Sequence, residues 1–176
     1  SSDLPLQTAG VFVTPKIGLH MTRYDLDSAT TTLPNTTRTL PMFSTEAGMV
    51  FERNTAIRGD TFLQTLEPKI YYLYVPARDQ SLIPNFESAV QDINFATIFS
   101  ENQFSGHDRI NDANQITFGV TSRLLRQENG AEVIRAGIAQ RFYMKSQEVT
   151  LPGAPLRTSN SSDFLAALSG TVARNW

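Results

Sequence analysis

Apolar and polar residues alternate along most of this chain, with the period of two that a β-strand imposes by sending successive side chains to opposite faces. The clearest run is Val11 to Tyr24, where Val11, Val13, Pro15, Ile17, Leu19 and Met21 share one face and Phe12, Thr14, Lys16, Gly18, His20 and Thr22 the other. The same pattern predicts strands over about Arg38–Arg53, Thr61–Val75, Ala113–Leu125, Ala131–Met144 and Asp163–Trp176. Pro41 and Pro68 interrupt two of these, since proline cannot donate to a ladder, but the alternation continues through both. Strands of about a dozen residues are roughly twice the common soluble length of about 5–6.

The intervening segments are long, short, long, short and long: 25–37, 54–60, 76–112, 126–130 and 145–162. The short segment 126–130 carries Asn129-Gly130, a strong hairpin signal. Outer-membrane barrels have this asymmetry, with short periplasmic turns and long extracellular loops. The expected fold is therefore all-β, an antiparallel up-and-down transmembrane β-barrel segment of about six long strands. Closure takes at least about eight strands, so the chain is expected to be part of a larger barrel. Residues 1–176 are read as part of a single outer-membrane barrel domain with no second domain, and 76–112 as a long extracellular loop. A soluble sandwich with its apolar faces buried against each other would alternate in the same way.

Composition narrows the function classes. The chain has 176 residues, a net charge of −2 and no cysteine. Its three lysines, Lys16, Lys69 and Lys145, are scattered, so no basic stripe suits a nucleic-acid backbone. The lack of cysteine removes thiolate metal sites, cysteine nucleophiles and internal disulfides. No apolar run approaches the roughly 20 residues of a membrane-spanning helix, and the start at Ser-Ser-Asp shows no apolar leader.

Candidate chemistry is sparse, and neither a catalytic residue nor a metal ligand is assigned. His20 and His107 have no second ligand at metal-site spacing, and ordinary solvent-facing or satisfied histidines account for them. Asp79, Glu87, Asp92, Glu101, Asp108 and Asp112 lack the compact spacing of a calcium loop and read as ordinary loop carboxylates. No Gly-x-Ser-x-Gly elbow or phosphate-binding glycine loop occurs, so no enzyme or cofactor is expected.

The isolated charges fall in phase with small and hydroxyl residues. Lys16, Glu46, Glu67, Lys69, Gln115, Arg123, Arg135 and Arg141 are thus candidates for a wet lumen, and a solvated sheet face would place them equally well. Segment 76–112, with 37 residues, exceeds the usual ceiling of about 12–15 for an unstructured loop. Phe86, Val90, Ile93, Phe95, Ile98 and Phe99 make it too apolar to idle in solvent, and inward folding over a lumen is favoured over a self-packed external cap. Arg78, Asp79 and Gln80 at one base and Asp108, Arg109 and Asp112 at the other are candidates for stem or partner contacts. Tyr71, Tyr72, Tyr74, Phe142, Tyr143 and Trp176 lie near strand ends, where an interfacial girdle would put them.

The run Gln64-Thr-Leu-Glu-Pro-Lys-Ile-Tyr-Tyr-Leu-Tyr-Val-Pro-Ala-Arg-Asp-Gln80 resembles a signature of the lipopolysaccharide-assembly outer-membrane family, LptD. The resemblance continues through Pro84-Asn85-Phe86, Phe99–Ile110 (with Gly106-His-Asp-Arg-Ile110) and Asp112–Arg123, and more loosely at Asp163-Phe164-Leu165. Ala77 stands where the pattern has an aromatic residue. The resemblance implies a mid-barrel portion of a barrel of about 26 strands in the Gram-negative outer membrane, with a periplasmic domain preceding it. It implies, too, that the cargo is lipopolysaccharide, received from a periplasmic bridge protein of the LptA type and inserted into the outer leaflet. A plug lipoprotein of the LptE type would sit in the lumen. No bond is made or broken, and the lateral opening lies in other strands. A general porin or solute-channel segment shares every periodicity argument, and a soluble carbohydrate-binding β-sandwich is the second alternative.

Overall fold

The computed structural model describes residues 2–24, 36–78, 80, 89, 91–104, 110–150 and 159–170. Among them the chain forms one antiparallel sheet of nine strands. These are β1 (Ser2–Asp3), β2 (Leu6–Thr8), β3 (Val11–Tyr24), β4 (Thr36–Met49), β5 (Phe51–Ile57), β6 (Asp60–Val75), β7 (Ala113–Arg126), β8 (Glu132–Tyr143) and β9 (Leu165–Gly170). Sequential neighbours pair, from β1 and β2 on β3 through β4, β6, β7 and β8 to β9, so the architecture is an open up-and-down segment.

The expected second strand is two elements. β4 pairs β6 from Phe43–Tyr74 to Gly48–Lys69, and β5 resumes at Phe51–Leu66 in the same register. In that register Met49 lies opposite Pro68, which has no N–H to donate, so the ladder lapses for two pairs and side-chain alternation is kept. β1 and β2 were not read from the sequence. They are short and separated by Leu4-Pro5, which leaves too few residues for periodicity to register. The last strand begins at Leu165 rather than Asp163 and is described to Gly170; 171–176 lie outside the described residues.

Three short turns lie at one end of the sheet. Arg58 and Gly59 join β5 to β6 with φ of 53° and 96°, the two positive values of a type I′ hairpin. Gly130, with φ of 70°, closes the turn between β7 and β8, where its N–H donates to the Arg126 carbonyl at 2.8 Å. Gly10, between β2 and β3, has a φ of 83°. The long connections 25–35, 76–112 and 144–164 leave from the opposite end.

Register sorts the residues into two faces. Ile17, Phe43 and Tyr74 pair across β3, β4 and β6, and Tyr72, Ile116 and Phe142 across β6, β7 and β8. This face is apolar and uncovered: Met21 is 68% and Leu168 80% exposed. Phe43–Tyr72 and Phe118–Phe142 make tilted and edge-on ring contacts at 6.3 and 6.1 Å. Two aromatics expected in that girdle, Tyr71 and Tyr143, are instead buried on the opposite face, because they fall on the other phase of their strands. Trp176 lies outside the described residues.

Candidate functional site

The opposite, inner face carries the chemistry. Lys16 shares its row with Ser44, Leu73, Gln115 and Tyr143, and the next row is Thr14, Glu46, Tyr71, Thr117 and Arg141. Lys69, Glu67, Arg123 and Arg135 follow toward the short turns. All eight residues singled out for their charge or polarity thus lie on one face of the sheet.

Near the long connections this face is covered. Residues 91–104 fold onto it as a strap, closed by the Gln91 N–H donating to the Gln103 carbonyl at 2.8 Å. Asn94 organises its single turn: its side-chain oxygen accepts from the N–H of Ala96 and Thr97 at 2.9 and 3.1 Å, and its carbonyl from the N–H of Ile98 at 2.9 Å. The turn presents Phe95, Ile98 and Phe99 to the sheet. Arg141, 1% exposed, donates through Nη2 to the Ile98 carbonyl and through Nε to Thr117 Oγ1 at 3.4 Å. Thr117 Oγ1 also donates to that carbonyl at 3.4 Å. Lys16 binds Glu101 at 2.6 Å, Lys69 lies 4.5 Å from the Phe99 ring centre, and Gln103 donates to Gln115 at 3.3 Å.

Glycines make room for the strap. A Cβ built on Gly119 would lie 2.6 Å from the Phe99 ring, and one on Gly137 2.5 Å from the Phe95 ring. On Gly48 it would meet Phe12, another inner-face residue, at 2.6 Å. Sequence reasoning missed these seats. The signal was present, since a glycine inside a strand marks a close approach, and all three share the phase of the charged residues.

Beside the strap's docking points the inner face carries an apolar patch. Leu40, Met42, Tyr71, Leu73, Val75, Ile110 and Ala113 form a buried cluster. The stems are pinned beside it. Gln80 donates to the Ile110 carbonyl at 2.8 Å and accepts from Arg38 at 2.7 Å and from the Ile110 N–H at 3.3 Å. The Asp112 carboxylate accepts from the N–H of Glu148 at 3.0 Å and of Val149 at 2.9 Å, fastening the following connection to the same stem. Of the other stem candidates, Arg78 is exposed, and Asp79, Asp108 and Arg109 lie outside the described residues, as does His107. Among the loop carboxylates, Asp92 is exposed, Glu101 holds Lys16, and Glu87 lies outside the described residues. No cluster of three metal-ligating side chains occurs among the described residues.

Toward the short turns the inner face is open and ion-paired. Lys69 binds Glu46 at 2.9 Å and Arg123 binds Glu67 at 3.1 Å. Arg135, directly opposite Arg123, binds Glu132 at 2.9 Å. A cavity of 420 Å³ lies between these pairs and the Phe12, Phe95 and Phe99 rings. Lys145, beyond the end of β8, has its pKa raised chiefly by its hydrogen bond to Glu148, 2.6 Å away.

These features accompany close relatives. The family described as LptD, LPS transport system D, matches residues 1–176. LPS-assembly protein LptD of Azoarcus sp. (strain BH72) is 49% identical over 98% of this chain and 21% of its own length. The protein of the same name from Thiobacillus denitrificans is 47% identical over 98% of this chain and 24% of its own. That of Aromatoleum aromaticum is 50% identical over 97% and 22%. The chain therefore spans about a fifth to a quarter of the curated relatives it matches. With a match along its whole length, a two-faced meander of long strands and one charged face, this chain belongs to the LptD family of LPS-assembly proteins.

Proposed function

We propose that this chain is a stretch of wall in a bacterial outer-membrane β-barrel that assembles lipopolysaccharide into the outer leaflet. One observation carries the reading: large apolar side chains stand uncovered on one face while Lys16, Glu46, Glu67, Lys69, Arg123, Arg135 and Arg141 lie on the other. A soluble sandwich would bury the first face against a second sheet. A bilayer covers it instead and leaves the polar face to an aqueous lumen. In this assignment the residues form part of one barrel domain, the short turns are periplasmic, and connection 76–112 starts on the extracellular side and folds back into the lumen. Lipopolysaccharide is the cargo, an LptE-type lipoprotein the plug, and an LptA-type bridge the periplasmic donor acting through other parts of the protein. The wall contributes shape and electrostatics with no bond chemistry.

Depletion of the full-length protein tests this. Newly made lipopolysaccharide is expected to lose its accessibility to an impermeant surface label and to recover it on re-expression. Unchanged surface labelling after complete depletion would overturn the assignment.

A further inference from the structure

We infer that the cavity at the short-turn end of the inner face is a binding site for a neutral saccharide. The inference deepens the proposed function and rests on it, by placing the sugar portion of the cargo against a defined part of the wall. At 420 Å³ the cavity falls within the range of about 300–1,000 Å³ typical of small-molecule sites. Its lining combines three phenylalanine rings with charged side chains and the hydroxyls of Thr121 and Ser169.

The charges select the ligand class. Each of the three cations at the cavity, Lys69, Arg123 and Arg135, already has a carboxylate within 3.1 Å, so the site has no net charge to attract an anion. A phosphate carries net negative charge and mostly acceptor oxygens and would be repelled by Glu67; an ammonium offers only donors and would be repelled by Arg123 and Arg135. A hydroxyl donates and accepts, so it can bridge a guanidinium and its neighbouring carboxylate without parting them. A ring carrying several hydroxyls, with apolar C–H faces to lie on Phe12 or Phe95, satisfies both kinds of wall.

The sugar's position is fixed by elements already held elsewhere. Phe95 and Phe99 belong to the strap, whose turn is anchored by Arg141, and their rings rest over Gly137 and Gly119. The rim on the far side is β9, where Ala167 and Ser169 line the cavity. Because this chain has no cysteine, a thiol introduced at Ser169 reports on the cavity within this segment.

The test uses full-length protein in detergent, carrying Ser169→Cys and labelled with a maleimide, the site of modification being read by peptide mass spectrometry. Maltohexaose is the neutral probe and inorganic phosphate, at matched ionic strength, the control. Maltohexaose at three times its Kd is expected to slow labelling about fourfold, and phosphate to leave it unchanged. The slowing is expected to disappear in Arg135→Gln, which leaves the strap undisturbed, and in Phe95→Leu. No protection by maltohexaose, equal protection by phosphate, or full protection in both variants would overturn the site. Absent protection in protein that still delivers lipopolysaccharide to the surface would overturn the site alone, whereas undiminished delivery after depletion would overturn the proposed function.

Discussion

The two ends of the inner face are built on the same strands and are occupied differently. Near the long connections, Leu40, Met42, Leu73 and Val75 point inward and are sealed beneath Ile110 and the strap. Near the short turns, Glu67 on β6, Arg123 on β7 and Arg135 on β8 point inward and line an open cavity. At the covered end buried polar groups are held by specific partners, Arg141 by the Ile98 carbonyl and Gln80 by Ile110. The open end holds partly exposed ion pairs that water screens. The difference teaches that one strand phase can serve as dry core and as open, charged face in turn, and that the change falls where the strap ends.

Substitutions graded across this boundary should have graded effects. The largest is expected for Arg141→Ala, which strips partners from the Ile98 carbonyl and Thr117 in a buried setting. A loss of about 1–3 kcal/mol is expected in urea unfolding of the refolded full-length barrel, together with new protease cleavage in 91–104. Intact protease resistance would show that the strap does not depend on this anchor.

Next comes Gly137→Val, which overpacks the seat of Phe95 at a cost of about 1–3 kcal/mol. Adding Phe95→Ala should recover much of that loss, giving a coupling energy of about 0.5–3 kcal/mol in a double-mutant cycle. Additive effects would mean that ring and glycine do not meet. Asp112→Ala removes the acceptor of two backbone N–H groups and should cost about 1–2 kcal/mol, seen as faster amide exchange at Glu148 and Val149.

At the open end, Lys69→Ala should change stability by less than about 1 kcal/mol, and by less still at high salt, since its pair with Glu46 is partly exposed. The smallest effect is expected for Lys145→Ala. Glu148 raises the Lys145 pKa, so the pair's contribution is present below the ordinary lysine value of 10.5 and is lost as pH rises through the raised one. The variant should match the parent in thermal unfolding at neutral pH, where this fully exposed pair contributes nothing measurable.

Much of the fold was legible because a two-residue period is a local property. The strand Val11–Tyr24 and the start of β7 at Ala113 follow from alternation alone, as does the common face of the eight candidate lumen residues. What went unread depends on distant partners. Leu40 and Met42 break the polar phase of their strand, and the run Tyr71-Tyr-Leu-Tyr-Val75 is apolar in both phases, yet only the packed Ile110 explains why that phase is dry. The spacing of Gly119 and Gly137 does not name Phe99 and Phe95 as the rings that lie over them. Gln80 and Asp112 were legible as stem candidates, but their partners, the backbone groups of Ile110, Glu148 and Val149, were not.

By itself, then, the sequence determined which side chains share a face, where strands exchange with turns, and that the short and long connections leave from opposite ends. Those properties need only neighbouring residues and the pleat of a strand. Tertiary structure alone decided that residues 91–104 lie against the inner face, that Arg141 is buried beneath them, and that the ion-paired end stays open. Arg141 and Ile98 are 43 positions apart, and their meeting depends on strand register and on the path of the strap, which no local period encodes.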